Sequence, residues 1–552
     1  MFQVAFRENL LRRKHSCPKA ESFTRTSFVR GGKEMTSLEV FYKRVLTQPD
    51  HIALCWNDKH YTYSELYKEC VRAATILSSH VTKGSRICLH MHKSDRYLIM
   101  MYACIMTGII YVPIDPKSPR ERAHFIANDS QADLVFIDDK TKQYWVDPET
   151  AIPNVIDLYH FLNVDIPVAD PAVYIQNNVE DDGLALILYT SGSTGQPKGV
   201  MLTHENLNVF ILWALDYFSL TSEDRIALLS PFHFDLSLFD IFVGLGGGCT
   251  LFLVEEATSI MPEAIYRFLN INSITVIYTV PTAYLSLIKR SSVRESGLPE
   301  LKHILSAGET LSPDVLLGLR KIAPGAIIYN MYGPLETNVI TSHIVQPGEH
   351  LKSDIPIGHK WDRISGAKIF IVDENKKVIE NPNTEGEIWV SGPSVSPGYL
   401  NLLDSNKKFD QSLDMNGQTY VCFATGDYGW WDEHDRLHFA GRKDFLIKTR
   451  GFRVELGEVE RALLRFPEVV EAAVVAVPHS EYSHLLVAHI VFRDAGNKLE
   501  LLRQYCQTQM LNYMNPKEII VHDSLPRTSG GKVSRMDLKD ISYQAIYDIT
   551  KR

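Results

Sequence analysis

The chain of 552 residues is long enough to bury a large core and to form more than one domain. Its 45% hydrophobic and 22% charged residues are ordinary for a globular protein, and a formal net charge of -9 argues against nucleic acid as the main partner. The eight cysteines show no Cys-x-x-Cys pair and no histidine spacing that suggests zinc, which fits free thiols in a reducing cytoplasm.

Residues 1–34 are polar and rich in Arg, Lys and Ser, with no apolar stretch long enough for a secretory signal. They read as either a disordered extension or an upstream misassigned start, since Met35 stands just before an amphipathic run that begins at Leu38; Glu8 and Glu21 weaken a transit-peptide reading. Tyr97 to Ile114 is uncharged over nearly the length of a membrane span, but Gly108 and Pro113 divide it. A helix from about Asp95 to Thr107 and a strand from Ile109 to Ile114 are expected instead. From Leu38 to about Phe439, helical patterns alternate with short β-rich runs such as Ile87–Met91, Leu134–Ile137, Val276–Thr279 and Ile327–Tyr329. This alternation predicts helices covering mostly parallel sheets.

Leu184 to Leu188 reads as a buried strand that opens at Tyr189 into a loop of hydroxyls, glycines and a lysine. Gly192, Gly195 and Gly199 free the backbone to aim N–H groups at an anion. Thr190, Ser191, Ser193, Thr194 and Lys198 add donors and charge, a combination suited to a polyphosphate. Lys198 is followed by Gly199 and not by Ser or Thr, so the loop is not a Walker A sequence. Further on, Asp235 is a lone carboxylate among aromatic and aliphatic residues, either a helix N-cap or a charge waiting for a partner. Asn330–Thr337 turns at Gly333-Pro334; Thr425-Gly426-Asp427 alone would be a plain turn; Gly441–Asp444 and Ile447–Glu458 alone would be a solvated charged face. Lys532 sits on a Gly-rich loop near the C-terminus.

Together these segments, with Gly386–Leu400 and the turn at Asp115-Pro116, resemble the adenylate-forming superfamily of nonribosomal peptide synthetase adenylation domains, acyl-CoA synthetases and luciferases. The resemblance covers roughly Met35 to Arg535 in the correct order. It implies an α/β fold: a large N-terminal domain of helix-covered, mostly parallel sheets (35–441) and a small mobile α+β C-terminal domain (442–552). It implies ATP and Mg2+ as cofactors. Thr190, Ser191, Gly192, Ser193, Thr194 and Gly195 would bind phosphates, Asn330 and Tyr332 adenine, Asp427 and Arg442 ribose, and Glu336 the metal. Lys198 and Lys532 would be catalytic, with Lys532 stabilising charge on the α-phosphate; Asp444 would be the hinge and Gly451 would line a thiol's path. Gly386–Leu400 would be structural, and Leu335 departs from the family's usual threonine, removing one phosphate contact.

Asp235 matches the residue that holds the substrate ammonium in amino-acid-activating members, and the carried-over pocket is completed by Leu236, Phe239, Tyr278, Leu305, Ala307, Met331, Val339 and Ile340. None of these eight bears a charge, so a charged substrate side chain would be left unpaired. The set is similar to that of freestanding prolyl-AMP ligases, which makes L-proline the expected substrate, with alanine and valine next. Only 20 residues follow Lys532, so the acceptor is expected to be the phosphopantetheine thiol of a separate carrier protein. An acyl- or aryl-CoA ligase and a catalytically silent scaffold are the competing readings. No membrane or nucleic-acid partner is expected.

Overall fold

The computed structural model describes residues 29–30, 33–145, 154–164, 173–174, 182–190, 197–345, 355–360, 364–415, 417–442, 446–449, 451–479, 481–493, 498–527 and 533–549. Met1–Met35 is one unit and Thr36–Arg552 another. In the first, Val29–Arg30 pairs antiparallel with Lys33–Glu34; the rest of the expected extension, residues 1–28 and 31–32, lies outside the described residues.

The strand Leu184–Thr190 lies inside a seven-stranded sheet. On one side it runs parallel to Ile110–Ile114, followed by Arg86–His90, Leu134–Ile137 and Asn154–Asp157; on the other it pairs antiparallel with Lys198–Thr203. It extends two residues beyond the expected Leu188, because Tyr189 and Thr190 pair with Gly199 and Lys198. A hairpin ladder therefore holds Thr190 and Lys198 opposite each other across the mouth of the Gly-rich loop. Helix His204–Phe218 follows at once, capped reciprocally by Thr203 and Asn206. Asn206 also donates to the carbonyls of Pro393 and Val395 at 2.7 and 3.1 Å, and Tyr399 pairs with Val200, so the 393–399 segment is tied to the Lys198 strand.

The helix Asp95–Thr107 is buried on nearly every side, which explains its unbroken apolar sequence. The Ser94 hydroxyl caps its start and Gly108, at φ 67°, closes its end in the left-handed region. No helix among the described residues is long and apolar enough to cross a membrane.

The second sheet has eight strands in the order Thr341–Val345, Ile327–Tyr332, His303–Ser306, Val276–Thr279, Arg225–Leu228, Thr250–Leu253, Ile52–Trp56 and Lys59–Thr62, parallel except at its two edges. A third sheet differs from the sequence expectation. Lys368–Val372, Gly386–Ser391, Gln411–Met415, Gln418–Trp431, Arg436–Arg442 and Gly358–His359 pair antiparallel throughout, because tight turns rather than helices join several of its strands. The C-terminal part carries a hairpin, Leu446–Thr449 with Phe452–Glu455, and a three-stranded sheet of Val469–His479, Ser483–Phe492 and Glu518–Val521 with helices Leu456–Leu464, Leu499–Gln509 and Arg535–Ile549. Its own apolar cluster, centred on Val459, Val474, Ala488 and Leu502, makes it a small α+β domain.

Candidate active site

The C-terminal ends of three neighbouring parallel strands carry several of the residues expected to line the substrate pocket. In register, Tyr278 stands beside Leu305 and Leu305 beside Tyr329, so Tyr278, Leu305 and Met331 share one face of the sheet. Opposite the strands, Leu236–Leu238 and the π-turn Phe239–Val243 supply Leu236 and Phe239, whose ring meets Tyr278 edge-on at 5.5 Å. Ala307, Val339 and Ile340 are likewise buried. Asp235 occupies the N-cap position of this helix, but its side chain makes no capping hydrogen bond to the first turn. Burial pushes its carboxyl up to about 6, against the pull of Lys448 and of the backbone N–H groups of Leu236 and Asp235.

The pocket also has a neighbour that sequence reasoning missed. Asp240, fully buried beside Phe239, has neither carboxyl oxygen hydrogen-bonded within the described residues; burial raises its pKa strongly, against the nearby Lys93 ammonium. Its aspartate identity was visible, but only the π-turn turns it inward.

A second cluster joins residues from two sheets. Asp427 and Arg442 are direct cross-strand partners, and Arg442 Nη1 donates to Asp427 Oδ1 at 2.6 Å. The hydroxyl of Tyr332 donates to Asp427 Oδ2, also at 2.6 Å. Asn330 points to the other face of its strand from Met331 and donates to the carbonyls of Pro356 and Ile355 at 2.8 and 3.4 Å. The structure thus brings Tyr332, Asp427 and Arg442 into one hydrogen-bonded group.

Glu336 is the third element. It is 0% exposed, accepts from the Tyr399 hydroxyl at 2.6 Å and forms an ion pair with Arg453. Burial opposes its charge, but Arg453 and Tyr399 outweigh that cost and hold its carboxyl well below the usual range. Gly386–Leu400, the segment expected to be structural, supplies the Tyr399 hydroxyl that donates to Glu336. Lys198 lies close by, its ammonium 5.6 Å from the Tyr399 ring, and its pKa is lowered by burial despite Glu455 and Glu336. Lys448 completes the group: burial lowers its pKa, Asp427 and Asp235 oppose the shift, and Arg442 and Arg453 add to it. Arg453 and Lys448 lie within a quoted motif, but nothing in their spacing shows that they reach residues more than a hundred positions away.

The hairpin of the C-terminal domain carries Arg453 to Glu336. At its turn, the Gly451 amide donates to Glu309 Oε1 at 2.7 Å, and Phe452 stacks on Tyr513 and meets Phe234 edge-on at 5.1 Å. Gly451 has φ +81°, and a Cβ there would lie 2.6 Å from Val280 Cγ1. A cavity of about 580 Å³ runs alongside, lined in part by Phe234, Thr279, Val280, Gly451, Phe452 and Tyr513. Residues 191–195, Asp444 and Lys532 lie outside the described residues, so the phosphate loop, hinge and second catalytic lysine stand on sequence alone.

Residues 41–400 match the AMP-binding enzyme family and residues 458–532 the AMP-binding enzyme C-terminal domain. The chain belongs to the AMP-binding enzyme family. It is 33% identical over 477 residues to an L-proline--[L-prolyl-carrier protein] ligase of Streptomyces coelicolor, covering 83% of this chain and 88% of that relative. It is 30% identical over 514 residues to a D-alanine--D-alanyl carrier protein ligase of Bacillus licheniformis, covering 92% and 99%. An o-succinylbenzoate CoA synthetase of Bacillus subtilis, solved with a product analogue, superposes with a TM-score of 0.77 at 25% identity, covering 91% of this chain and 98% of that one. The large α/β domain and separate C-terminal domain are thus those of this AMP-binding family, whose members use ATP.

Proposed function

We propose that this AMP-binding enzyme activates L-proline with ATP, forming prolyl-AMP and pyrophosphate, and then transfers the prolyl group to the phosphopantetheine thiol of a separate carrier protein in the cytoplasm. The observation that carries the reading is Asp235, a carboxylate held without a capping bond beside an uncharged pocket shortened by Phe239, Tyr278 and Met331. A half-buried carboxylate in that position matches an ammonium on the substrate, and the apolar walls match a small ring. The prolyl and alanyl carrier ligases among the relatives point to the same amino acid and acceptor classes.

In this mechanism Tyr332, Asp427 and Arg442 hold the nucleoside, while Thr190 and Lys198 flank the phosphate loop. The buried carboxylate of Glu336, an oxygen ligand that already needs a cation, fits Mg2+ bound together with substrate phosphates. Such an ion would neutralise charge on the leaving pyrophosphate. Lys198, and Lys532 once delivered by the small domain moving about Asp444, would stabilise the negative charge that builds on the α-phosphate. The second step would use the cavity beside Gly451 as the path of the thiol. The domain limits 35–441 and 442–552 belong to the same proposal.

The deciding experiment is exchange of labelled pyrophosphate into ATP with all twenty amino acids and several fatty and aryl acids. A dominant proline signal supports the proposal; a signal only with acids lacking an amine moves the enzyme to CoA ligation, and none at all moves it to a silent scaffold.

Two further outcomes are expected. Asp235 is charged above about pH 6 and loses that charge below it, so kcat/KM for the amino acid should fall as the pH drops through about 6, which a pH series of initial rates would read. A profile flat down to pH 5 would remove Asp235 from amine binding. Gly451→Ala should slow thioester formation more than adenylate formation, by about tenfold, because the substitution strains a positive φ and crowds Val280. Equal loss in both half-reactions would place Gly451 outside the thiol's path.

A further inference from the structure

Lys93 follows the strand Arg86–His90 of the first sheet, yet its buried ammonium reaches the end of a strand in the second. Its Nζ donates to three consecutive carbonyls, those of Leu228, Leu229 and Ser230, at 2.7, 3.2 and 3.4 Å. The backbone bends there, with the Leu229 amide donating to the Ala227 carbonyl at 2.9 Å in a three-residue turn. An ammonium has three N–H donors, and each meets one of the three carbonyls. None is left for a carboxylate.

This bend is the root of the loop that carries Asp235. The strand Arg225–Leu228 ends at it, and the loop runs on through Phe232, whose ring meets Tyr97 edge-on at 5.1 Å, to Phe234, whose carbonyl accepts from Ser237 Oγ at 2.6 Å. Tyr97 stands on the helix Asp95–Thr107, which begins just after Lys93. Lys93 and Tyr97 thus hold the loop at its start and its middle.

The counter-charge comes from beyond Asp235 in the chain. Asp240 is 0% exposed and accepts no hydrogen bond among the described residues. Its charge still reaches Lys93: burial lowers the lysine to about 8, and Asp240 opposes that shift ahead of Glu256. The same carboxylate bears on Tyr278, a wall of the expected pocket, and on Tyr284, whose hydroxyl donates to the Ile277 and Leu305 carbonyls. A buried ammonium with no negative neighbour gives up its proton readily, and a neutral amine has only two N–H donors to offer three carbonyls.

We infer that Lys93 and Asp240 act as one pair of positioning residues that sets Asp235 for the substrate ammonium: Lys93 clasps the root of the Asp235 loop, and Asp240, just past Phe239, keeps that clasp charged. This rests on the reading of Asp235 as the ligand of the amine. Removing either member loosens the same clasp, so the loss falls on recognition of the amine and spares the nucleoside group of Tyr332, Asp427 and Arg442.

The test uses the full chain and pyrophosphate exchange, with proline and ATP varied in turn, in Lys93→Met, Asp240→Asn and the double variant. Each single variant should raise KM for proline about tenfold, or ~1.4 kcal/mol, with kcat and KM for ATP held within about twofold. The double variant should do no worse than either single one, because both residues serve one clasp. Cyclopentanecarboxylate, which has the ring but no amine, separates positioning from general loosening: its weak inhibition of exchange should be the same in the wild type and every variant. Where Lys93→Met does not fold, Asp240→Asn, which keeps shape and volume, carries the same prediction. An unchanged proline KM in Asp240→Asn, additive losses in the double variant, or parallel losses for proline, ATP and cyclopentanecarboxylate would overturn the inference. Asp235→Ala keeps the premise separate: proline exchange that survives it removes the amine-binding reading itself, whereas exchange lost there and unmoved in Asp240→Asn removes only the Lys93–Asp240 clasp.

Discussion

Asp235→Ala should abolish proline-dependent pyrophosphate exchange while leaving nucleotide binding intact. The substrate ammonium would enter an apolar pocket and find no counter-charge, and an unpaired buried charge costs about 3–5 kcal/mol, or between roughly 10²- and 10⁴-fold in kcat/KM. Nucleotide binding should survive because Tyr332, Asp427 and Arg442 bond to one another and not to Asp235. Asp235→Asn separates charge from shape: it fills the same volume and should lose nearly as much. A carbocyclic analogue of proline, with carbon in place of the ring nitrogen, gives the complementary measurement. The wild type should reject it and Asp235→Ala should discriminate far less. Proline exchange unchanged in Asp235→Ala would show that the pocket lies elsewhere.

Gly333→Ala should be the most damaging single methyl addition in the nucleotide motif. A Cβ at this position would lie 1.7 Å from the carbonyl oxygen of Asn338 and 2.8 Å from the Cα of Val339, both backbone atoms that no rotamer change can move. The turn must open, which should cost at least the upper end of the ~1–3 kcal/mol typical of overpacking. Tyr332 and Glu336 flank this turn, so the loss should reach the nucleoside and metal positions together. Thermal unfolding with and without ATP would read both effects: a lower Tm, and loss of the upward shift that ATP gives the wild type. A variant with normal Tm and normal ATP protection would mean that the turn is not as the structure has it.

Much of this was legible in the sequence because it depends on short range order. Leu134–Ile137 and Val276–Thr279 have the limits expected from their apolar runs, and the helix Asp95–Thr107 is where Gly108 and Ser94 would end it. The expected pocket residues could be named only through the family resemblance; that Tyr278, Leu305 and Met331 share one face comes from the strand register. Contacts made by one side chain across a great sequence distance were not legible. Tyr399 reaches 63 positions back to Glu336 and Arg453 reaches 117, and neither distance is encoded in local periodicity. Asp240 was hidden for a different reason: a regular helix would carry it away from Phe239 at a fixed angle, whereas the π-turn changes that angle. The antiparallel third sheet was hidden because its strands alternate with turns at spacings close to those of the parallel sheets.

The way the first two sheets share the chain also sets the order in which the molecule can be made. Ile52–Trp56 belongs to the second sheet, the five strands from Arg86 to Thr190 and then Lys198–Thr203 belong to the first, and the second resumes at Arg225, while Gly398–Tyr399 closes the first. During translation, the first sheet therefore keeps an open edge along Lys198–Thr203 until about 200 further residues have emerged. Such high contact order favours slow folding through intermediates with exposed strand edges. Nascent chains halted between residues 203 and 345 should aggregate or hold chaperones, because in that interval the second sheet is unfinished as well.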